Sequence, residues 1–196
     1  MSTMELLASG FSVVFNPSMF FMVVVAIILG TIFGALPGVS ATIDVYKRQL
    51  YGFTLSGINT GEARYFDAAR RCARYFIANI REDGLTDCDF RQPKEEERID
   101  NIAGACAACG LLELANAVGG EEAEEYRQAA MRLLRALNDL CADWGEDAPG
   151  ILQKCTASYH DDGAGRHVNI LYGDYFFVEA LCKLRGTDAR LWMARA

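Results

Sequence analysis

The sequence predicts an all-α fold: helical hairpins arranged as in an α/α toroid, preceded by one hydrophobic, membrane-type helix. Three observations carry that expectation. The first 43 residues hold a long uncharged apolar run, with Glu5 their only charged side chain. Beyond residue 50, apolar positions recur at helical spacing in segment after segment, separated by turn-rich stretches. Those segments also alternate in kind. Runs of Ala, Gly and Cys that are apolar on several faces suit inner helices covered on both sides, and Arg/Glu-rich amphipathic runs suit an outer layer.

Averages over the 196 residues hide this division. A hydrophobic content of 52% and a mean hydropathy of +0.08 would describe one ordinary globular chain. The apolar excess sits in the first 43 residues, leaving about 147 charged, acidic residues, enough to bury a core. A net charge of -7 and a pI near 4.9 exclude a phosphate-backbone partner, because the arginines are scattered among carboxylates and form no basic stripe. No nucleic acid is therefore expected as a ligand.

From Pro17 to Pro37 runs an uncharged stretch of about the ~20 residues that a membrane helix requires. No Lys or Arg precedes it and no small-residue cleavage site closes it, so a membrane-inserting helix fits better than a secretory signal. Gly30, Gly34 and Gly38 give this helix a smooth face. Gly10-Phe11, Asn16-Pro17 and the run GTIFGALPGVSA resemble the large permease subunit of tripartite tricarboxylate transporters. The resemblance covers about 40 residues and implies a broken helix around Gly34 to Gly38; one helix cannot transport anything.

Asp44 to Gln49, Asp-Val-Tyr-Lys-Arg-Gln, has no period and fits neither neighbour, giving a division into 1–43, a seam at 44–49, and 50–196. Lys47 and Arg48 would suit a juxtamembrane basic anchor. The hexapeptide also resembles the in-frame translation of a transposon end used in tagmentation libraries, which implies a chimeric reading frame.

Beyond the seam, Leu50 to Gly57 reads as the tail of an apolar helix. In GEARYFDAARRCARYFIANI, Tyr65, Ala69, Cys72, Phe76 and Ile80 share one face while arginines occupy another. Residues 81–98 hold Asp83-Gly84, Asp87, Asp89, Pro93 and three consecutive glutamates, and read as a loop. Asp100 stands at the N-cap of an all-round apolar helix ending at Gly119-Gly120. The next helix carries acids in its first turns and turns Tyr126, Ala130, Leu133, Leu134, Leu137 and Cys141 inward. A long loop from Gly145 to His167 leads to a last apolar, aromatic helix ending at Gly186.

No metal or cofactor is expected. The loop aspartates lack the ordered calcium-loop spacing, and Cys106-x-x-Cys109 lies inside a helical alanine run with no second pair and no nearby histidine. The seven cysteines read as reduced, mostly buried small hydrophobes.

Leu50-Tyr51-Gly52-Phe53, TGEARYFDAARRCARYF, Asp100 with AGACAACGLLELA, and LYGDYFFVEAL resemble, in order and spacing, the C-terminal part of glycoside hydrolase family 88, the unsaturated glucuronyl hydrolases. The resemblance implies an incomplete (α/α)6 toroid, soluble and cytoplasmic. It implies as partner an unsaturated uronic acid oligosaccharide made by a polysaccharide lyase. In that family an aspartate acts as general acid and base to hydrate the sugar's vinyl ether, and the hemiketal then collapses; this differs from hydrolysis by paired carboxylates. The family's two implicated aspartates lie ahead of an Arg-Gly-Gln-Ala-Trp run that this chain lacks before Leu50. None of Asp83, Asp87, Asp89, Asp161 or Asp162 matches them, so no catalytic residue is assigned.

The candidate substrate-binding residues are Asp100, at the mouth, and Tyr159 and His160, in the loop before the last helix. Asp100 has N-capping as its rival role, and a tyrosine could stack on a sugar ring. Tyr172, Asp174 and Tyr175 match a family motif but read as structural. Two functions are expected to compete: a hydrolase fragment inactive alone, and a membrane-anchored α-hairpin interaction module without catalysis.

Overall fold

The structure is a computed structural model and describes residues 16–19, 21–25, 27, 45–93, 97–157 and 164–187. It divides into two compact units, Met1–Thr42 and Ile43–Ala196. In the first, residues 17–19, 21–25 and 27 are helical. The Asn16 side chain caps this helix, accepting from the Ser18 backbone N–H at 3.1 Å and hydroxyl at 3.0 Å, and Pro17 opens it. Met19, Phe21, Met22 and Ile27 are exposed. The glycines at 30, 34 and 38 lie outside the described residues.

Among its described residues the second unit has five helices: α1 (Val45–Thr60), α2 (Ala63–Ala78), α3 (Asn101–Val118), α4 (Gly120–Cys141) and α5 (Leu171–Leu184). Residues 45–49 are helical and continuous with those that follow, so the aperiodic hexapeptide contributes the first turn of α1. α3 packs against α1, α4 and α5, and α2 packs mainly on α1. An inner row α1–α3–α5 is thus backed by outer helices α2 and α4, the layering of an α/α toroid.

Each helix follows from its residues. α3 has Ala, Gly or Cys at all eight positions from 103 to 110, and its residues 101–115 are all buried. Among the described residues it is the one helix long and apolar enough to cross a membrane, yet 83% of that window is buried inside the fold, so it is a core helix. Gly110 explains its closeness to α1. A Cβ there would lie 3.0 Å from the Tyr51 backbone, so only hydrogen lets the two helices meet.

The outer helices are amphipathic. α2 buries Ala69, Ala73 and Phe76 and exposes Arg64, Arg71 and Arg74. It ends at Ala78, so Ile80, expected on its inner face, is a half-buried loop residue. α4 buries Tyr126, Ala130, Leu133, Leu134, Leu137 and Cys141, with Glu121 and Glu122 in the first turn. Between α3 and α4, Gly119 and Gly120 both adopt φ +68°, which other residues rarely do; Gly119 caps α3 and Gly120 already belongs to α4.

The connections are short at one end of the layer and long at the other. Residues 61–62 and Gly119 make the tight turns. Residues 79–100 and 142–170 lead into the N-termini of α3 and α5, so both long loops gather at one end.

Candidate functional site

That loop end is where backbone and polar side chains converge. Asp100 has extended backbone (φ -130°, ψ 95°), and its Oδ1 accepts from the Ile102 N–H at 3.2 Å, closing the first turn of α3. The same oxygen accepts from the Thr156 N–H at 3.4 Å, and the Thr156 hydroxyl donates to the Ile99 carbonyl at 2.7 Å. The Asp100 N–H donates to the Thr86 carbonyl at 2.9 Å. This carboxylate is 5% exposed and joins three segments: loop 79–100, loop 142–170 and α3.

Neighbouring contacts repeat the pattern. Asn101 donates through Nδ2 to the Gln153 carbonyl at 2.7 Å, where Lys154 turns the chain with φ 54°. The Ile99 N–H donates to His167 Nε2 at 3.2 Å, and His167 holds φ 52°. Cys155 and Val168 pair through two backbone hydrogen bonds of 2.8 and 3.1 Å. Asp174 Oδ1 accepts from the Leu152 N–H at 2.7 Å, tying loop 142–170 to the first turn of α5. Burial pushes the Cys155 thiol up to about 12, with Asp100 adding to the rise, so it remains neutral.

Of the residues expected at the site, Asp100 is therefore a buried cap and cross-tie, while Tyr159 and His160 lie outside the described residues. His167, seven residues after His160, is the described histidine beside Asp100 and was missed as a site residue. Its signal was its position directly before the Val-Asn-Ile-Leu-Tyr run that opens α5. Asp174, expected to be structural, ties a loop to a helix.

Four other described loop aspartates are also engaged. Asp83 and Asp87 face the Arg81 guanidinium at 3.0–3.2 Å. Burial alone would raise the Asp83 carboxyl, but Arg81 and the Leu85 N–H together hold it below its ordinary value. Asp89 accepts from the Arg91 N–H at 2.9 Å and Asp143 from the Gly145 N–H at 2.9 Å. All four are acceptors in these contacts, whereas a general acid must donate its proton.

A second polar cluster lies within the inner layer. Tyr51 on α1 donates to Glu179 Oε1 on α5 at 2.5 Å. Lys183 reaches the same oxygen at 3.1 Å and Glu113 of α3 at 2.6 Å, with its ammonium 5.6 Å from the Tyr51 ring centroid. Glu179 Oε2 is buried with no hydrogen-bond partner. Burial raises the Tyr51 phenol, with Glu179 adding to it; burial would lower Lys183, but Glu113 and Glu179 outweigh it and raise it. Burial likewise holds the Cys109 thiol well above its ordinary value, leaving the C-x-x-C inert. The sequence signal was a lone Glu113 in an apolar helix and the Glu179/Lys183 spacing in another.

No protein-family model matches the chain. Over 151 residues it is 34% identical to an unsaturated glucuronyl hydrolase of Bacillus sp. (strain GL1), covering 74% of this chain and 40% of that protein. The C-terminal part of the chain is homologous to the unsaturated glucuronyl hydrolases. A second such hydrolase, from Formosa agariphila, is 28% identical over 67% of the chain and 33% of its own length. The solved structure of the Bacillus sp. GL1 unsaturated glucuronyl hydrolase, described as responsible for the degradation of glycosaminoglycan, superposes with a TM-score of 0.70 at 32% identity. It too is covered over 74% of this chain and 40% of that one. The Streptococcus agalactiae unsaturated glucuronyl hydrolase, at 23% identity and a TM-score of 0.67, shows the shared toroid fold. The chain spans about 40% of the length of the Bacillus relative, so its helices correspond to part of a glucuronyl hydrolase toroid.

Proposed function

We propose that residues 50–196 form the C-terminal portion of an unsaturated glucuronyl hydrolase, acting on lyase-generated oligosaccharides with a terminal unsaturated uronic acid, and that this portion turns over no substrate alone. The observation that carries this reading is the pairing of 34% identity with 40% coverage of the Bacillus relative. The carboxylate geometry supports it: each described loop aspartate named above accepts hydrogen bonds from backbone or Arg81. The portion supplies a rigid wall at the loop end, where Asp100 positions loop 142–170. Tyr159 and His160 belong to that loop by sequence and are the residues we propose to meet a sugar.

A graft tests the assignment. Residues 50–196 are exchanged for the matching part of the Bacillus sp. GL1 enzyme, and loss of the substrate's double-bond absorbance is followed. Retained turnover, lowered several-fold by Tyr159→Ala or His160→Ala, supports the reading; a folded graft without turnover contradicts it.

The first unit is proposed to be a separate membrane-type segment of permease resemblance, joined through 44–49 in a chimeric reading frame. Its exposed Met19, Phe21, Met22 and Ile27 suit an apolar surrounding. Nucleotide reads across codons 44–49 that continue in one genomic frame would contradict the chimera.

A further inference from the structure

Ile99 is the point at which the two long loops are fastened together. It stands opposite Asp87 in an antiparallel pair whose flanking hydrogen bonds run from the Cys88 N–H to the Arg98 carbonyl at 2.8 Å and from the Asp100 N–H to the Thr86 carbonyl at 2.9 Å. In such a pair the N–H and C=O of Ile99 itself point away from residues 86–88. Side chains of loop 142–170 take both: the Thr156 hydroxyl donates to the carbonyl at 2.7 Å, and His167 Nε2 accepts from the N–H at 3.2 Å. The segments carrying those side chains are held to each other by the two Cys155–Val168 hydrogen bonds and by the Ala157 N–H on the Gly165 carbonyl at 2.8 Å.

The two ties differ in chemistry. A hydroxyl can donate throughout the neutral range, whereas an imidazole nitrogen accepts only while it carries no proton. Ile99 is 0% exposed, so its N–H has no water to turn to. A proton on Nε2 would set two N–H donors against each other and leave the buried one without an acceptor, which is costly. His167 itself is exposed, so its ring exchanges protons with solvent. It also holds left-handed backbone, φ 52°, a conformation uncommon outside glycine and kept only where surrounding contacts impose it.

The charged and titratable groups around this junction lie on three elements: Asp87, Glu97, Arg98 and Asp100 on loop 79–100, Lys154, Cys155 and Arg166 on loop 142–170, and Asp174 on α5. Asp87 is paired with Arg81, Asp100 and Asp174 accept from backbone N–H groups, and burial keeps the Cys155 thiol neutral. Free carboxylates titrate below, and Lys and Arg above, the range of about pH 5 to 8 in which a histidine changes charge.

We propose that His167 is an acid-released latch: while its ring is neutral it ties loop 142–170 to the Ile99 backbone ahead of α3, and protonation at Nε2 undoes that tie while Thr156 keeps its own. The latch is therefore complete at the alkaline end of the range and is lost as the pH falls.

The test is hydrogen exchange of the Ile99 amide in the full chain in a mild non-ionic detergent, corrected for the intrinsic pH dependence of exchange, with the α3 amides as the reference for global opening. In the wild type, protection of Ile99 is expected to fall about tenfold between about pH 8 and pH 5, with α3 unchanged. His167→Gln offers an acceptor that does not titrate and is expected to give the same protection at both ends; His167→Ala is expected to be poorly protected at both. His160→Gln, which alters the chain's other histidine, is expected to keep the wild-type fall. An unchanged wild type, a glutamine variant at position 167 that falls like the wild type, or loss of the fall in His160→Gln would each overturn the proposal. Nitrogen NMR of the wild-type ring gives a reading that needs no variant: Nδ1 protonated and Nε2 bare at about pH 8 is expected, and a protonated Nε2 there overturns the latch. Neither readout involves turnover, so the proposal stands or falls apart from the hydrolase assignment.

Discussion

α3 and α5 are both inner helices of largely apolar sequence, rich in small residues in α3 and in aromatic ones in α5, yet they sit in different surroundings. α3 is buried at every position from 101 to 115, whereas α5 buries only Gly173, Phe177, Glu179 and Ala180. The difference is neighbours. α3 has α1 and α5 on its flanks and α4 behind it, whereas α5 packs mainly on α3 and meets α1 through Tyr51. An apolar sequence therefore records the environment of a complete toroid, and the described chain provides that environment for one inner helix and withholds it from another.

The largest expected effect tests the polar link between them. Lys183→Met would leave the buried Glu113 and Glu179 carboxylates without their ammonium, and should destabilise the helical unit by about 3–5 kcal/mol in urea unfolding. A loss under ~1 kcal/mol would show that the cluster is solvated. The same cluster sets an alkaline limit. Tyr51 and Lys183 are both raised above their ordinary values of 10.0 and 10.5. Their contribution is complete below those values and is lost as the pH rises through the folded-state ones, so unfolding should become easier above about pH 10. An unchanged urea midpoint between pH 9 and 11 would sink this account of the cluster.

Next in size is the close approach of α3 to α1. Gly110→Val forces a side chain onto the Tyr51 backbone and should cost about 1–3 kcal/mol or more, whereas Val178→Ala at an exposed position of α5 should change stability by about 0.5 kcal/mol or less. Equal costs would erase the contrast between the helices. Asp100→Ala removes the α3 cap and the tie to Thr156, at about 0.5–2 kcal/mol, and Asp100→Asn should recover most of it. If Asp100→Ala costs nothing, capping is not the role of this residue.

Much of this layout was legible in the residues themselves. The acidic first turn and inward stripe of α4, the Asp100 cap and the Gly119 stop all depend on local chemistry, which a sequence displays directly. The loop end was less so. His167 is brought to Ile99 by a left-handed turn, and Thr156 reaches Asp100 across 56 residues, contacts set by the path of two long loops. The end of α2 was misplaced because Ile80 keeps the helical spacing while the chain has already turned at Asn79. Lys183 and Glu113, 70 residues apart, could be noticed singly as charges in apolar helices, but not paired without the fold.

The proposal that residues 50–196 turn over no substrate alone is tested most directly by incubating the purified full chain with an unsaturated uronic acid disaccharide and following the double-bond absorbance. No decrease beyond the uncatalysed rate is the expected result, at any pH from 5 to 9 and at any protein concentration. Turnover that scales with protein and is abolished by an aspartate substitution within residues 50–196 would contradict it.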